Sequence, residues 1–353
     1  MQADDILLRP AVAIVILSWN GRKFLETYLP SVVRLQYQPM EIYVADNASS
    51  DDSIAYVREH FPTVKIISIP KNEGFAKGYN VALKQVVADY YFLVNQDVEL
   101  SEDCLEPLIE RMQSNDMIAA CQPRIRAAWD RSQFEHAGAA GGYIDAIGYP
   151  FCRGRLFNVE EKDTEQYADA REIFWASGAA MLIRADLFNR FKGFDGDFFA
   201  HMEEIDLCWR LKRAGYQIWY VPESIVYHVG GGSLPKENPY KIYLNFRNNL
   251  SMMFKNYESA DLIWRFPLRI LLDNVAFLHA VLNGRWKEAG AIFRADWHFA
   301  ISLPYQLKKR FDTWRQYHRN RVAVSRVKMS GYYSRSIVWQ FFAKGKKRFS
   351  DLP

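Results

Sequence analysis

Between Val12 and Pro123 the sequence alternates short β-branched runs with longer runs of helical periodicity. This alternation is typical of parallel strands joined by crossover helices, because a tight turn cannot join parallel neighbours. The predicted strands are Val12–Trp19, Glu41–Ala45, Val64–Ile69, Tyr90–Val94 and Ile118–Cys121. The predicted helices are Gly21–Val33, Ser53–His60, Phe75–Val87 and Glu102–Gln113, with Ser50 and Ser101 as N-caps. Such α/β sheets bind ligands at the carboxyl ends of their strands, so a nucleotide-binding, Rossmann-like sheet is predicted.

The composition allows one large domain or two ordinary ones. The chain has 353 residues, 49% hydrophobic and 24% charged, which excludes a disordered, collagen-like or disulfide-stapled protein. The four cysteines, at positions 104, 121, 152 and 208, form no CxxC pair and no Cys/His cluster. A reduced, cytosolic chain without structural zinc is therefore expected.

The second half of the chain changes character twice. Residues 138–169 are rich in glycine and aromatic residues, which predicts loops and short hairpins. Regular elements then return. They are predicted as a buried strand Phe174–Arg184, a helix Glu203–Ala214 ended by Gly215, a strand Gln217–Val221 and a helix Pro239–Lys255.

A basic surplus is confined to the last quarter. Residues 255–353 carry 19 Lys and Arg against 7 Asp and Glu, whereas residues 1–254 carry 26 against 34. Apolar residues there recur at helical spacing with basic residues between them, which predicts amphipathic helices on an anionic membrane surface. The candidate interfacial anchors are Trp264, Trp286, Trp297 and Trp314. The alternative is a helical subdomain or a dimer interface. No signal peptide and no membrane span is predicted.

Polar side chains follow the first two predicted strands. Ser18 and Asn20 end the first strand, and Asp46 and Asn47 end the second. A carboxylate just past a parallel strand can accept hydrogen bonds from the base or ribose of a nucleoside. Asp46 is therefore a candidate nucleoside ligand, although the run DNASS is also ordinary turn and cap chemistry.

Two further segments suit a diphosphate. In KNEGFAKGYN, Gly74 and Gly78 open the helix after the third strand, where free N–H groups can meet an anion, although they also fit a simple turn. The spacing matches neither the dinucleotide fingerprint nor the P-loop. The fourth strand ends in Asn95-Gln96-Asp97, and a carboxylate delivered there can hold a divalent ion that bridges a diphosphate. The alternative role for Asp97 is a helix cap.

Eight segments, in order, carry a resemblance to a known family. They are VAIVILSWN, DNASSDDS, KNEGFAKGYN, NQDVEL, WASGAAMLIR, KGFDGDFF, HMEEIDLCWRL and YHVGGGS. Together they resemble the family 2 glycosyltransferases of the GT-A fold, and most closely bacterial rhamnosyltransferase-like enzymes of surface-polysaccharide assembly. The resemblance covers about residues 10–255. It implies a GT-A domain over residues 1–257, with the helical C-terminal region over residues 258–353.

The resemblance implies a donor site and a metal site. Asp46 resembles the nucleoside-binding aspartate, and Asp97 the last residue of the DXD metal motif. His228 resembles the histidine that completes the metal site in many relatives, although a lone histidine at a strand end is more often structural. The first DXD position is the neutral Asn95, so a low affinity for Mg²⁺ or Mn²⁺ is expected. The predicted donor-binding residues are Ser18, Asn20, Asp46, Asn47, Lys71, Asn72, Gly74, Asn80, Asn95, Gln96, Ser177 and Gly178.

The family's general base is the aspartate of a Glu-Asp-x-Asp motif, which here reads Glu203-Glu204-Ile205-Asp206. Glu204 takes the base position and Glu203 remains a competitor. Adjacent carboxylates raise one pKa toward useful basicity, whereas the alternative is helix-dipole compensation. Asp206 is expected to pair with Arg210.

The acceptor side is predicted from two residues, Trp175 and His201, although Trp175 also fits the core. Three arginines are candidate phosphate ligands because guanidinium groups bind phosphate with two parallel hydrogen bonds. They are Arg153, Arg155 and Arg247.

The predicted reaction is the inverting transfer of a sugar from a dTDP-, UDP- or GDP-linked donor to a hydroxyl of a glycan or lipid-linked acceptor. The predicted location is the cytoplasm, peripheral on the inner face of the cell membrane. Two alternatives stay open, a catalytically silent membrane-bound partner and a sugar-nucleotide nucleotidyltransferase. Homo-oligomerisation is also left open, whereas nucleic-acid binding is disfavoured because the acidic N-terminal part repels phosphate chains.

Overall fold

The chain is organised around one mixed, mostly parallel sheet and a smaller second sheet. The structure is a computed structural model that describes residues 9–230, 238–322 and 329–353. The strands are β1 (Val12–Ser18), β2 (Met40–Asp46), β3 (Lys65–Ser68), β4 (Tyr90–Asn95), β5 (Val98–Leu100), β6 (Ile118–Ala127), β7 (Gly142–Asp145), β8 (Pro150–Cys152), β9 (Arg155–Leu156), β10 (Val159–Glu160), β11 (Arg171–Ile173), β12 (Ala180–Arg184), β13 (Gln217–His228) and β14 (Tyr332–Tyr333). The large sheet has the order β11-β13-β6-β12-β4-β1-β2-β3 with β5 on β13, and the small one has β10-β9-β8-β7-β14.

Helices cover the large sheet and continue beyond it. They are α1 (Arg22–Val33), α2 (Ser53–His60), α3 (Gly74–Leu83), α4 (Leu105–Gln113), α5 (Ala185–Arg190), α6 (Glu203–Arg213), α7 (Pro239–Asn256), α8 (Ser259–Leu282), α9 (Trp286–Ile301) and α10 (Leu303–Asn320). Shorter turns are 3₁₀ at Gly196–Phe198 and Phe349–Asp351, and π at Trp339–Ala343. Within the part of the chain described, no helix is both long and apolar enough to cross a bilayer.

The strand order places a crevice beside β1. Strands β1, β2, β3 and β4 are parallel, with β2 and β3 on one side of β1 and β4 on the other. This reversal is the topological switch point at which open α/β sheets take their ligands. Strand β12 runs antiparallel to β4 and pairs Ala180 with Val94, so the chain just before β12 lies at the same carboxyl edge.

Both faces of the large sheet are buried, which explains its continuous apolar runs. On β4, Phe92 and Val94 belong to one core cluster, whereas Tyr91 and Leu93 belong to the cluster on the opposite face. Strands covered by helices on both sides have this composition. The alternating pattern that predicted the parallel sheet is therefore confirmed, and β1 to β4 lie within a residue or two of their predicted bounds.

Two predicted N-caps are wrong. Asp52 precedes α2 and Cys104 precedes α4, so neither Ser50 nor Ser101 is in the cap position. The hydroxyl of Ser101 instead donates to the carbonyl of Ile225, at 2.7 Å. The serine binds the neighbouring strand β13 rather than its own helix.

Two predicted strands were also too short, and one was too long. The strands predicted at 118–121 and 217–221 extend to Ala127 and His228, because β6 and β13 continue to pair past a bulge. Of the strand predicted as 174–184 only β12 forms, at Ala180–Arg184, and β11 ends just before the predicted range, at Ile173. Between them, the N–H of Ser177 leaves the ladder and donates to Oε1 of Gln122 at 2.9 Å.

Among the described residues of the C-terminal region, the last α-helix ends at Asn320. The tail then returns to the small sheet, where β14 pairs in parallel with β7. Phe349 packs there, with its ring centroid 4.8 Å from that of Tyr143. The division into domains 1–257 and 258–353 stays a prediction. The sequence pattern did not indicate that the tail pairs with the small sheet of the first domain.

A buried carboxylate connects the sheet domain to α7. Asp206 on α6 is fully buried and forms an ion pair with Nε of Arg210 at 2.9 Å, as the sequence predicted. Its oxygens also contact Nζ of Lys255 at 2.9 Å and Nδ2 of Asn256 at 2.7 Å. A carboxylate with three buried partners orients α7 relative to α6, since removal of one partner leaves an uncompensated charge.

We expect Asp206→Ala to lower the free energy of unfolding by about 3–5 kcal/mol, because it leaves the buried Arg210 without its carboxylate and leaves Lys255 with Asp195 alone. The matched control is Asp186→Ala, which removes an exposed pair of the same i,i+4 spacing, to Arg190. That control should cost no more than about 1 kcal/mol. Chemical denaturation measures both, and equal losses would contradict a structural role for the buried cluster.

Candidate active site

The carboxyl ends of β1 and β2 present the predicted nucleoside residues together. Ser18 pairs in register with Asp46, whose carboxylate accepts a hydrogen bond from the N–H of Ser49 at 2.9 Å. Asn20 is exposed, with a left-handed φ of 48°, and its side chain accepts from the N–H of Ser50 at 2.7 Å. The two loops are therefore fastened to each other, and Asp46 keeps a partly exposed carboxylate at the rim of the crevice.

Several predicted donor residues form a hydrogen-bonded layer beneath this rim. The buried hydroxyl of Ser18 donates to Gln96 at 2.8 Å. Buried Asn47 donates to Asn72 and to the carbonyl of Gly74, each at 3.1 Å. These side chains position loops at the crevice, and their direct contact with a donor stays a prediction.

The two remaining predicted donor residues of this region lie in different surroundings. Asn80 donates to the carbonyl of Phe194 at 2.8 Å and accepts from its N–H, so its side chain is engaged inside the protein. Lys71 is exposed, with its ammonium 3.6 Å from the carboxylate of Glu73. Their roles as donor ligands are likewise still predictions.

The interpretation of the α3 N-terminus as an open anion site is wrong. The N–H groups of Phe75 and Ala76 donate to the carbonyl of Phe199, at 2.6 and 3.0 Å, and that of Gly74 donates to Asn72. The donors are thus already satisfied by the protein. Gly74 has a φ of 73°, and a Cβ there would meet the ring of Phe199 at 2.4 Å, so glycine permits the close approach.

Asp97, His228 and Glu135 form a buried chain of charges at the edge of the sheet. Nε2 of His228 lies 3.2 Å from Oδ1 of Asp97, and its Nδ1 lies 3.1 Å from Oε2 of Glu135. The pairing of β5 with β13 sets this geometry, because the N–H of Val229 donates to the carbonyl of Asp97. Nδ2 of Asn95 is 3.5 Å from the same Nε2 atom.

When no metal ion is bound, the carboxylates of Glu135 and Asp97 determine the charge of His228. Burial alone lowers the pKa of His228, but Glu135 and Asp97 outweigh it and raise the pKa to about 10. Burial raises the pKa of Glu135, and the imidazolium brings it below its ordinary value. The sequence predicted Asp97 and His228 as partners, and the structure places them in contact.

The donor set fits a divalent ion that takes most of its ligands from outside the protein. Among the residues that the structure describes, no cluster of three or more His, Cys, Asp or Glu side chains could hold a metal by itself. Mg²⁺ typically uses one or two protein ligands together with water and phosphate oxygens. Asp97 and His228 would supply these, and Glu135 behind the imidazole matches the carboxylate that usually orients a metal-binding histidine.

Glu203 and Glu204 begin α6 with very different environments. Glu203 is buried, and burial followed by repulsion from Glu204 raises its pKa well above the ordinary value. Glu204 is partly exposed, and burial raises its pKa to about 7, partly offset by backbone N–H groups that include those of Ile205 and Gly178. Burial therefore favours the neutral form of Glu203, whereas Glu204 is close to half ionised at neutral pH.

Glu204 faces the segment that the sequence assigned to the donor and acceptor. A Cβ atom placed on Gly178 would lie 3.8 Å from Cβ of Glu204. The next residue, Ala179, accepts from the N–H of Asn95 at 3.0 Å, which joins this segment to the end of β4. The base candidate and the metal-site candidates therefore reach the same edge of the sheet.

The segment before α6 has an unusual backbone. Phe199, His201 and Met202 have φ angles of 65°, 71° and 75°, a conformation that is uncommon for residues other than glycine and that clusters at functional sites. Burial, with a further contribution from Lys241, lowers the pKa of His201 to about 4, so its ring is neutral. Its Nε2 atom has no hydrogen-bond partner among the residues that the structure describes.

The other acceptor and phosphate candidates are mostly structural. Trp175 is buried, and its indole N–H donates to the carbonyl of Tyr143 at 2.8 Å, which is the core role left open by the sequence. Ser177 is also buried, with its hydroxyl bonded to the carbonyl of Ala137. Arg153 forms an ion pair with Asp169.

Arg155 and the glycine loop complete the predicted phosphate contacts. Arg155 contacts Nε2 of His136 at 3.0 Å rather than an open crevice. The glycine loop after His228 was expected to close over the diphosphate, and residues 231–237 of it lie outside the described residues.

Two elements of the site were missed from the sequence. Glu135 lies in a stretch without periodicity, and only a long-range contact to β13 reveals its role. Asn248 on α7 donates to the carbonyls of Phe198, Ala200 and His201 at 2.9, 2.9 and 2.8 Å, and so holds the segment before α6. The repeated asparagine in NFRNNL was the available signal, but nothing in the sequence showed what it binds.

Comparison with known proteins identifies the family. The model of glycosyl transferase family 2 matches residues 13–191, just over half of the chain. The chain belongs to this family. A relative is the N-acetylglucosaminyl-diphospho-decaprenol L-rhamnosyltransferase of Mycobacterium tuberculosis, 24% identical over 77% of this chain and 92% of that protein. Another is the rhamnosyltransferase WbbL of Escherichia coli, 26% identical over 62% of this chain and 83% of that protein.

Solved glycosyltransferases share the fold, which confirms the predicted GT-A architecture. Staphylococcus aureus TarS 1–349 in complex with UDP-GlcNAc aligns with a TM-score of 0.53 over 88% of this chain and 90% of that chain, at 14% identity. The mannosyltransferase PcManGT of Pyrobaculum calidifontis, in complex with GDP-Man and Mn²⁺, aligns with a TM-score of 0.51 over 89% and 88%, also at 14% identity.

We expect Glu135→Gln to weaken Mn²⁺ binding about 10- to 100-fold, because it removes the carboxylate that orients His228. Isothermal titration of Mn²⁺ into the protein with saturating UDP measures the affinity. The control Glu99→Gln removes an exposed carboxylate that pairs with Arg131 and should leave the affinity unchanged. Equal Mn²⁺ affinities for the two variants would contradict the assignment.

Proposed function

We propose that this protein transfers a sugar, with inversion, from a nucleotide-diphosphate sugar to a hydroxyl group of a glycan or lipid-linked acceptor. This transfer would be a step of bacterial surface-polysaccharide synthesis. One observation carries the proposal: Asp97, His228 and Glu204 reach one edge of a GT-A sheet, and the pKa of Glu204 is raised to about 7. A carboxylate of that basicity, beside a divalent site, suits deprotonation of a sugar hydroxyl.

Each group has a distinct part in the proposed reaction. Glu204 accepts the proton of the acceptor hydroxyl as its oxygen attacks the anomeric carbon of the donor. Glu203 is buried beside it, and its raised pKa favours the neutral carboxyl group. Asp97 and His228 would hold Mg²⁺ or Mn²⁺, which when bound offsets the charge of the departing diphosphate. Positioning and charge stabilisation then supply most of the rate.

The relatives narrow the substrates under this proposal. Two of them are named rhamnosyltransferases, and one of these names includes an N-acetylglucosaminyl-diphospho-decaprenol acceptor. We extend this class to the present chain, with a dTDP-, UDP- or GDP-linked donor and a sugar diphosphate on a polyprenol as acceptor. The known complexes of the fold with UDP-GlcNAc and GDP-Man support a nucleotide sugar of this general kind.

The C-terminal helices suit such an acceptor because each exposes an apolar stripe. On α8 the stripe consists of Trp264, Leu271, Val275, Leu278 and Leu282, each at least 51% exposed. On α9 it consists of Trp286, Phe293, Trp297 and Ile301. On α10 it consists of Leu303, Leu307, Phe311 and Trp314. Exposed apolar surface of this extent marks an interaction site. Together with the basic surplus, it supports peripheral binding to an anionic membrane, on the inner face where lipid-linked acceptors are used.

We expect the logarithm of kcat/KM to fall with a slope of about one below pH 7, because protonation of Glu204 removes the base. Glu204→Gln should lower kcat about 10²–10⁴-fold and abolish that limb of the pH profile. The control Glu223→Gln alters an exposed carboxylate on β13 and should behave as the unaltered protein.

The assay for this prediction also separates the alternatives. Purified protein is incubated with Mn²⁺, a panel of dTDP-, UDP- and GDP-sugars and a soluble sugar-diphosphate acceptor, and nucleoside diphosphate release is measured. Release of pyrophosphate would identify a nucleotidyltransferase. No turnover with any donor and acceptor would indicate the catalytically silent membrane-bound partner.

Binding to the membrane should depend on the apolar stripes. We expect the double variant Leu278→Glu, Trp297→Glu to bind phosphatidylglycerol-containing vesicles ~10-fold more weakly in co-sedimentation, because each charge opposes burial of its stripe. The control Val87→Glu changes a residue that is 94% exposed in the sheet domain and should have no effect. Equal losses for control and double variant would contradict a membrane-binding C-terminal region.

A further inference from the structure

A polar cavity lies between the turn Gly196–Phe198 and the helices α7, α9 and α10. Its volume is about 460 Å³, which is within the range of small-molecule sites. Its lining includes Asp197, Tyr243, Arg247, His298, Tyr305 and Lys309. Neither the donor crevice nor the metal-site candidates contribute to it, so it is a second site with its own chemistry.

The cavity carries an excess of positive charge. Lys309 is balanced, with its ammonium 2.7 Å from Asp195 and 2.9 Å from Asp197. Arg247, in contrast, contacts no carboxylate in residues 9–230, 238–322 and 329–353; its guanidinium donates to Asn248 and to the carbonyls of Asp197 and Phe198. A guanidinium without a counter-ion at a cavity wall complements a phosphate group.

The cavity also offers aromatic rings with polar edges. The hydroxyl of Tyr243 lies 2.7 Å from Nδ1 of His298, and that of Tyr305 donates to Asp197 at 2.7 Å. Amphipathic rings of this kind contact a ligand that has both apolar and hydroxyl-bearing surface. The occupant therefore combines a phosphate with sugar or lipid character.

One wall of the cavity is the segment that leads to the base candidate. Asn248, in the lining, donates to the carbonyls of Phe198, Ala200 and His201. Glu204 lies three residues after His201, at the start of α6. The cavity therefore adjoins the residue that holds the segment leading to Glu204.

The opposite rim joins the apolar surface of the C-terminal helices. Ile301 and Tyr305 line the cavity and are 60% and 50% exposed. Leu303, between them, is 40% exposed and belongs to the stripe on α10. A ligand whose head lies in the cavity can therefore continue as a hydrocarbon chain along this surface.

We infer that this cavity binds the phosphate of a lipid-linked acceptor, with Arg247 as its principal cationic contact and Tyr305 as its aromatic contact. The inference rests on the proposed function and assigns it a second binding site.

The test uses a soluble analogue, an alkyl diphospho-N-acetylglucosamine with a short chain, titrated into the full-length protein. Arg247→Gln should weaken its binding at least tenfold, while the affinity for UDP with Mn²⁺ stays within about twofold. The control Arg319→Gln removes an exposed arginine at the end of α10 and should bind the analogue normally. An unchanged affinity for Arg247→Gln would overturn the inference.

A second pair of variants covers the case in which Arg247→Gln fails to fold. Tyr305→Ala should weaken the analogue about fivefold through the lost ring contact, whereas Trp339→Ala, which removes an exposed aromatic ring in the C-terminal tail, should not. In a competition experiment, phosphatidylglycerol vesicles are added to the protein with labelled analogue bound. Displacement as effective as that by unlabelled analogue would show that the cavity binds lipid headgroups in general, and it would overturn the acceptor inference. Sugar transfer to the analogue by the unaltered protein, with equal affinities in all variants, would leave the proposed function intact and reject this site.

Discussion

Burial of both faces of the large sheet is the constraint on which the rest of the structure depends. Strands such as β1 and β4 are covered by apolar side chains on each side, so they cannot carry polar chemistry along their length. Polar residues are admitted only where a strand ends. Because β1, β2 and β4 are parallel and diverge at the switch point, their ends deliver Asp46, Asn95 and Asp97 to one edge.

The acceptor half of the site is held by a different interaction, between loops and helices. The carbonyl of Phe199 caps the start of α3, and the side chain of Asn248 holds the following carbonyls from α7. The left-handed backbone at Phe199, His201 and Met202 is thus fixed from two sides. This arrangement connects α3, the segment before α6 and the C-terminal helix α7.

Local pattern in the sequence was enough for the parallel strands β1 to β4 and for the places where they end. Strand ends are marked by an abrupt change from apolar to polar residues. This change pointed to Asp97, just past the end of β4. Pattern could not reveal Glu135, because its function depends on a contact with His228 that is 93 positions away along the chain. The pattern also did not show that N–H groups at the start of α3 are already hydrogen-bonded. The carbonyl that accepts from them belongs to Phe199, in a segment without periodicity.

The central claim is that Asp97 and His228 would hold a divalent ion that offsets the charge of the donor diphosphate, at the edge where Glu204 lies. Anomalous diffraction from crystals grown with Mn²⁺ and UDP, GDP or dTDP measures the position of the ion directly. The account predicts one strong peak within coordination distance of Asp97 and His228, with the diphosphate bound to it. A peak elsewhere, or a nucleotide bound away from the carboxyl ends of β1 and β4, would contradict it.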